Sequence, residues 1–152
     1  LGYTMGSFKD EHLNDVLFMI HKSIGLTVLM LMVIWIVWRS INIHPSLDHL
    51  PLWERAAARL NHSLLYLLLI LMPISGLVMS VAAGSPPEYF GLVTLTLPIA
   101  KNKVVADYGK LVHNSLAWVI IALVTLHILA AFKHFLFDKD NVMQRMLPRK
   151  SP

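Results

Sequence analysis

Cysteine is absent from this 152-residue chain, and charge is scarce, with Asp, Glu, Lys and Arg making up only 14% of it. Without a thiol there is no disulfide, no thiolate-held iron–sulfur cluster and no covalently attached c-type haem, because each needs cysteine sulfur. Soluble domains average roughly 25% charged and roughly 45–50% apolar residues. Here 56% of residues are hydrophobic and the mean hydropathy is +0.60, which argues against a soluble enzyme. Thirteen Lys and Arg against nine Asp and Glu leave a net charge of +4. That excess lies mostly outside the apolar runs, so no nucleic-acid partner is expected. The length suits one domain, and neither an internal repeat nor a low-complexity stretch is present.

What the chain does have is three long apolar runs. Residues 16–38 read VLFMIHKSIGLTVLMLMVIWIVW, with Lys22 the only charge. Residues 63–83 read SLLYLLLILMPISGLVMSVAA, with no charge. Residues 115–137 read SLAWVIIALVTLHILAAFKHFLF, with Lys133 near the end. A helix crosses a bilayer with about 20 mainly apolar residues, so all three qualify, and the helices are expected at about 16–38, 63–83 and 113–137. Pro73 and Gly76 lie inside the second, where neighbouring helices can re-satisfy the backbone. Gly84, Ser85, Pro86 and Pro87 end it. Residues 91–99, GLVTLTLPI, are too short to span and read as an irregular segment at the interface.

Basic residues orient the chain, because cytoplasmic loops carry the excess of Lys and Arg. Arg39, Arg55 and Arg59 fall between the first two runs; Lys133, Lys139, Arg145, Arg149 and Lys150 fall at and beyond the end of the third. The opposite side has Lys9, Lys101, Lys103 and Lys110, and no arginine. The expected location is therefore a membrane, with the C-terminus cytoplasmic and the lipid bilayer as a partner. The chain opens at Leu1, in a polar loop on the outer side that does not read as a signal peptide, so a crossing upstream of it is expected.

Ionisable groups inside membrane helices are costly and mark function. Of eight histidines, His12, His44 and His49 fall in loops; His21 and His127 lie inside apolar runs and His113 just before one. His113 and His127 are 14 positions apart, about 21 Å of rise and roughly 40° short of four full turns. His134 follows on nearly the same face. Such a ladder is too long for one metal ion but suits two stacked haems, each ligated by imidazoles on both faces of its iron. His21 and His113 are level near the outer end and make a sensible outer haem pair. Gly25, one turn on, removes bulk for a macrocycle or for a close helix neighbour. By rise alone His62 is level with His134, and no partner for His127 is visible. A proton relay is the competing reading, weakened because the three runs hold no Asp or Glu. Met19, Met30, Met32, Met72 and Met79 read as packing.

These residues resemble the bacterial cytochrome b561 family, in particular its small, superoxide oxidase-like dihaem members. The resemblance rests on MIHKSIG, on LNHSLLYLLLILMPISGLVM, on FGLVTLTLP, on the His113–His127 spacing and on the ending KDNVMQRMLPRK, and it spans nearly the whole chain. It implies an all-α transmembrane four-helix bundle, of which three helices are present here as a single domain over residues 1–152. It implies haem b, two in the full family protein and at least one here, with His21 and His113 as outer ligands. It implies that His127 ligates the inner haem together with a histidine from the family's first helix, which is missing from this sequence. His134 matches a position near the quinone end, with a quinone or supporting role. His62 matches without a role. The implied function is electron transfer across the bacterial inner membrane, oxidising superoxide outside and reducing ubiquinone. Lys101 and Lys103 would steer the anion, and Lys22 would pair with a haem propionate or snorkel. The alternative is a non-catalytic electron-carrying subunit of a dehydrogenase or hydrogenase, taking electrons from a redox protein.

Overall fold

The computed structural model describes residues 2–42 and 51–138. Leu1, His44, His49, Lys139, Asp140, Arg145, Arg149, Lys150 and the KDNVMQRMLPRK ending lie outside the described residues. The protein is an all-α membrane protein. Among the described residues three helices are long and apolar enough to cross a bilayer.

Helix α1 runs Glu11–Ile41. It starts there because the Asp10 carboxylate accepts the free Leu13 N–H at 3.1 Å, a side-chain N-cap. Helix α2, Leu52–Ala82, starts behind Pro51, whose fixed φ suits a helix entrance. It stops where Gly84 takes φ +80° and donates to the Val81 carbonyl at 2.9 Å. Helix α3, Lys103–Lys133, is capped by Asn102, whose Oδ1 accepts from Val104 and Val105. It continues as one π-helical turn, His134–Asp138.

All three helices outrun their apolar cores. Helix α2 begins at Leu52 rather than at residue 63, because LWERAAARLN is rich in strong helix formers although it is not apolar. Residues 52–62, ahead of the apolar run, are thus helical. Helix α3 likewise begins at its cap, not at residue 113.

Between α2 and α3 the expected irregular segment contains a small antiparallel ladder, β1 Glu88–Tyr89 with β2 Val93–Thr94. Its turn places Phe90 at φ +48° and Gly91 at φ +72°. The turn is closed by the Leu92 N–H, which donates to the Tyr89 carbonyl at 2.9 Å, and two positive φ values at its central positions are those of a primed turn. Phe90 tolerates this because its N–H is held at 2.8 Å by Ser23 Oγ on α1.

Helix α2 is central and packs against both α1 and α3; α1 and α3 meet only through side chains. The α2–α3 approach is close at Gly109, where a Cβ would stand 2.9 Å from that of Met79. Small residues commonly permit such contacts between membrane helices. Large apolar groups such as Leu31, Ile34 and Trp118 face outward, as expected where lipid is the solvent.

Candidate haem-binding site

The site is built on one face of α3. Ala106, His113, Ile120, His127 and His134 are all partly buried along a seven-residue repeat. Seven residues are nearly two turns, so the three imidazoles share the stripe that faces α2.

Near the start of α3 the rings of His21 and His113 lie 6.1 Å apart, centre to centre, at 81°. They meet across the space between α1 and α3. The His113 ring rests on Gly76, where a Cβ would come within 2.9 Å of its Cε1. Its Nδ1 lies 3.0 Å from the Met72 carbonyl and 3.0 Å from Ser75 Oγ, and Ser75 Oγ donates to the same carbonyl at 2.7 Å. Nδ1 therefore carries the proton and donates it, which leaves the Nε2 lone pair free. This is the usual arrangement of a metal-binding histidine. Imidazole nitrogen binds metal at about 2.0–2.1 Å in zinc sites, so two rings across one ion sit roughly 6 Å apart. The His21–His113 pair fits such a group.

The lysines at the His21 end differ from one another. Lys22 donates to the Ser85 carbonyl at 2.8 Å and to Ser85 Oγ at 3.0 Å. The arm of Lys101 lies directly over Gly84. Both cations thus gather at the end of α2, where the helix carbonyls carry partial negative charge. Lys103 pairs at 3.0 Å with Asp107 on the solvent face, its side chain 87% exposed.

Toward the end of α3 the structure corrects the level expected for His62. Its ring lies against His127, 5.2 Å centre to centre. Helix α2 starts at Leu52, so Glu54 is the residue that comes level with His134, its Oε2 4.0 Å from Nε2. His62 also stacks on Tyr66, and the Arg39 guanidinium lies over the Tyr66 ring. Asn61 Nδ2 is 3.4 Å from His127 Nδ1. Below this level, His134 Nδ1 is 3.1 Å from Asp138. Lys133 bridges Glu54 at 2.7 Å and Asp138 at 2.6 Å. Glu54, His134 and Asp138 bring their ligand atoms within 4.8 Å of one another, a spacing that a metal ion could bridge. The Lys133 ammonium already donates to both carboxylates, so the group reads as an ion-pair cluster.

Sequence reasoning passed over Ser75, Asn61 and Glu54. Asn61 had a signal in its place beside His62 within LNHS. Ser75 and Glu54 had none, because their roles depend on the register between α2 and α3.

A family model described as prokaryotic cytochrome b561 matches residues 1–149. Cytochrome b561 homolog 2 of Escherichia coli (strain K12) is 38% identical over 135 residues, covering 87% of this chain and 71% of that protein. A probable superoxide oxidase of Yersinia pestis is 35% identical over 135 residues, covering 87% of this chain and 75% of that protein. Cytochrome b561 homolog 1 of Escherichia coli (strain K12) is 27% identical over 131 residues, covering 86% and 74%.

Proposed function

The chain belongs to the prokaryotic cytochrome b561 family, and on that premise we propose that this membrane b-type cytochrome oxidises superoxide at its outer face and reduces ubiquinone at its inner face. The observation that carries the reading is the His21–His113 pair, 6.1 Å between ring centres. Haem, when bound, supplies a one-electron couple whose potential depends on axial ligands, burial and hydrogen bonds. His21 and His113 hold the outer group and His127 an inner one. Met72 and Ser75 fix the His113 ring so that Nε2 is available.

The net reaction turns two superoxide anions, one quinone and two protons into two dioxygen molecules and one quinol. Superoxide is an anion, so the cations at the outer end of α2 raise its local concentration; Lys22 and Lys101 are the pair gathered there. At the other end His134, between Glu54 and Asp138, is the group that holds or passes a proton for quinone. The likeness to a probable superoxide oxidase supports this donor. The arginines Arg39, Arg55 and Arg59 at the His134 end support a cytoplasmic C-terminus in the bacterial inner membrane.

The test is superoxide-driven quinone reduction by the haem-loaded protein in detergent or vesicles. Reduction that weakens as salt rises supports the reading. No reduction by superoxide, together with reduction by a dehydrogenase or hydrogenase partner, replaces it with the electron-carrier subunit. His134→Ala is expected to slow quinone reduction while haem content is kept.

A further inference from the structure

Helix α2 offers a hydrogen-bonding group to each of two α3 histidines. For His113 the group is backbone, the Met72 carbonyl at 3.0 Å. For His127 it is the side chain of Asn61, 3.4 Å from Nδ1. Helices α2 and α3 are antiparallel, so stepping down α3 from His113 to His127 steps back along α2 from Met72 to Asn61. Asn61 thus stands where the second acceptor is needed.

The Asn61 carboxamide has a second feature. Its Oδ1 is buried and makes no hydrogen bond. The oxygen and nitrogen of a carboxamide exchange places by a half-turn about the last bond, with the same shape. With Nδ2 toward the ring, the neutral imidazole must carry its proton on Nε2, and that nitrogen cannot bind iron. With Oδ1 toward the ring, the oxygen gains the Nδ1–H as donor and Nε2 keeps its lone pair, while Nδ2 takes the place that Oδ1 leaves. Ligation by His127 selects the second orientation.

We propose that Asn61 is the positioning residue for His127: its side-chain oxygen accepts the Nδ1 proton, fixes the tautomer and ring orientation, and sets the electron donation of Nε2 to the inner haem. The proposal rests on the reading that His127 binds haem. An acceptor on the distal ring nitrogen raises ligand basicity, and its loss typically costs 10–100-fold in metal affinity or activity. A stronger acceptor stabilises the oxidised iron and lowers the midpoint; a missing one raises it.

The test uses the haem-loaded full chain, with redox titration and low-temperature electron paramagnetic resonance of Asn61→Asp and Asn61→Leu. Asn61→Asp nearly keeps the shape and is expected to lower the inner midpoint. Asn61→Leu is expected to raise it and to loosen that haem. The outer haem signal stays unchanged in both and reports that the fold is intact. His127→Ala separates the two claims. If it leaves haem content unchanged, His127 is not a ligand and both fall. If it loses haem while both Asn61 variants keep the wild-type inner midpoint and g-values, the Asn61 proposal alone is overturned.

Discussion

His113 Nδ1 and the Met72 carbonyl oxygen are 3.0 Å apart, across the α2–α3 interface one residue before Pro73. The acceptor is backbone, so no side-chain substitution deletes it. Ser75→Ala removes only the second group at that nitrogen and is expected to leave outer haem in place with a small midpoint shift. His113→Ala or His21→Ala removes one member of the pair and is expected to cost the outer haem. The measurement is the reduced b-type alpha band per mole of protein. Haem content unchanged in both His variants would sink the outer-site assignment.

Gly76 offers a second route to the same place. A Cβ there would stand 3.2 Å from His113 Nδ1 and 2.9 Å from Cε1, the latter closer than real Cβ contacts allow. Gly76→Leu must push the ring off its bed. Outer haem is expected to fall to a small fraction of wild type while the His127 site keeps its signal. Equal loss at both sites would mean a general packing defect instead.

The outer lysines are expected to separate by their partners. Lys101 lies over Gly84 near Lys22, whereas Lys103 is solvent-exposed and offset by Asp107. A charge reversal, Lys101→Glu, is expected to slow superoxide-driven reduction severalfold at low salt, and the gap should close as salt screens it. Lys103→Glu should change the rate little. Equal effects of the two would show that overall charge, not its position, steers the donor.

Much of this arrangement was legible in the residues. Three crossings follow from apolar length alone, and the shared face of His113, His127 and His134 follows from a seven-residue spacing on a helix. The His21–His113 encounter follows from equal depth. What could not be read was register. The start of α2 at Leu52 depends on a polar helical extension that an apolar count does not see. It is this start that brings Glu54 to His134 and His62 to His127. Asn61, Ser75 and Glu54 act through partners on another helix, and no local pattern encodes which partner is met.

The hairpin between α2 and α3 hangs on one hydroxyl. Ser23 is fully buried; its Oγ accepts the Phe90 N–H at 2.8 Å and lies 2.8 Å from the Met19 carbonyl and 3.1 Å from the Glu88 carbonyl. One O–H cannot serve both carbonyls fully, so the accepted bond is the one without a substitute. It secures the residue whose φ is +48°. Ser23→Ala leaves that N–H unpaired at a cost of about 1–3 kcal/mol. The expected result is a lower thermal midpoint of the haem-loaded protein by circular dichroism, with faster proteolysis within residues 85–95. Ser23→Thr keeps the hydroxyl and should recover part of the loss if its extra methyl finds room. A wild-type melting curve and cleavage rate for Ser23→Ala would mean that the hairpin is held by Thr27 Oγ1 and Tyr89 OH, 3.2 Å apart, and by the ladder itself.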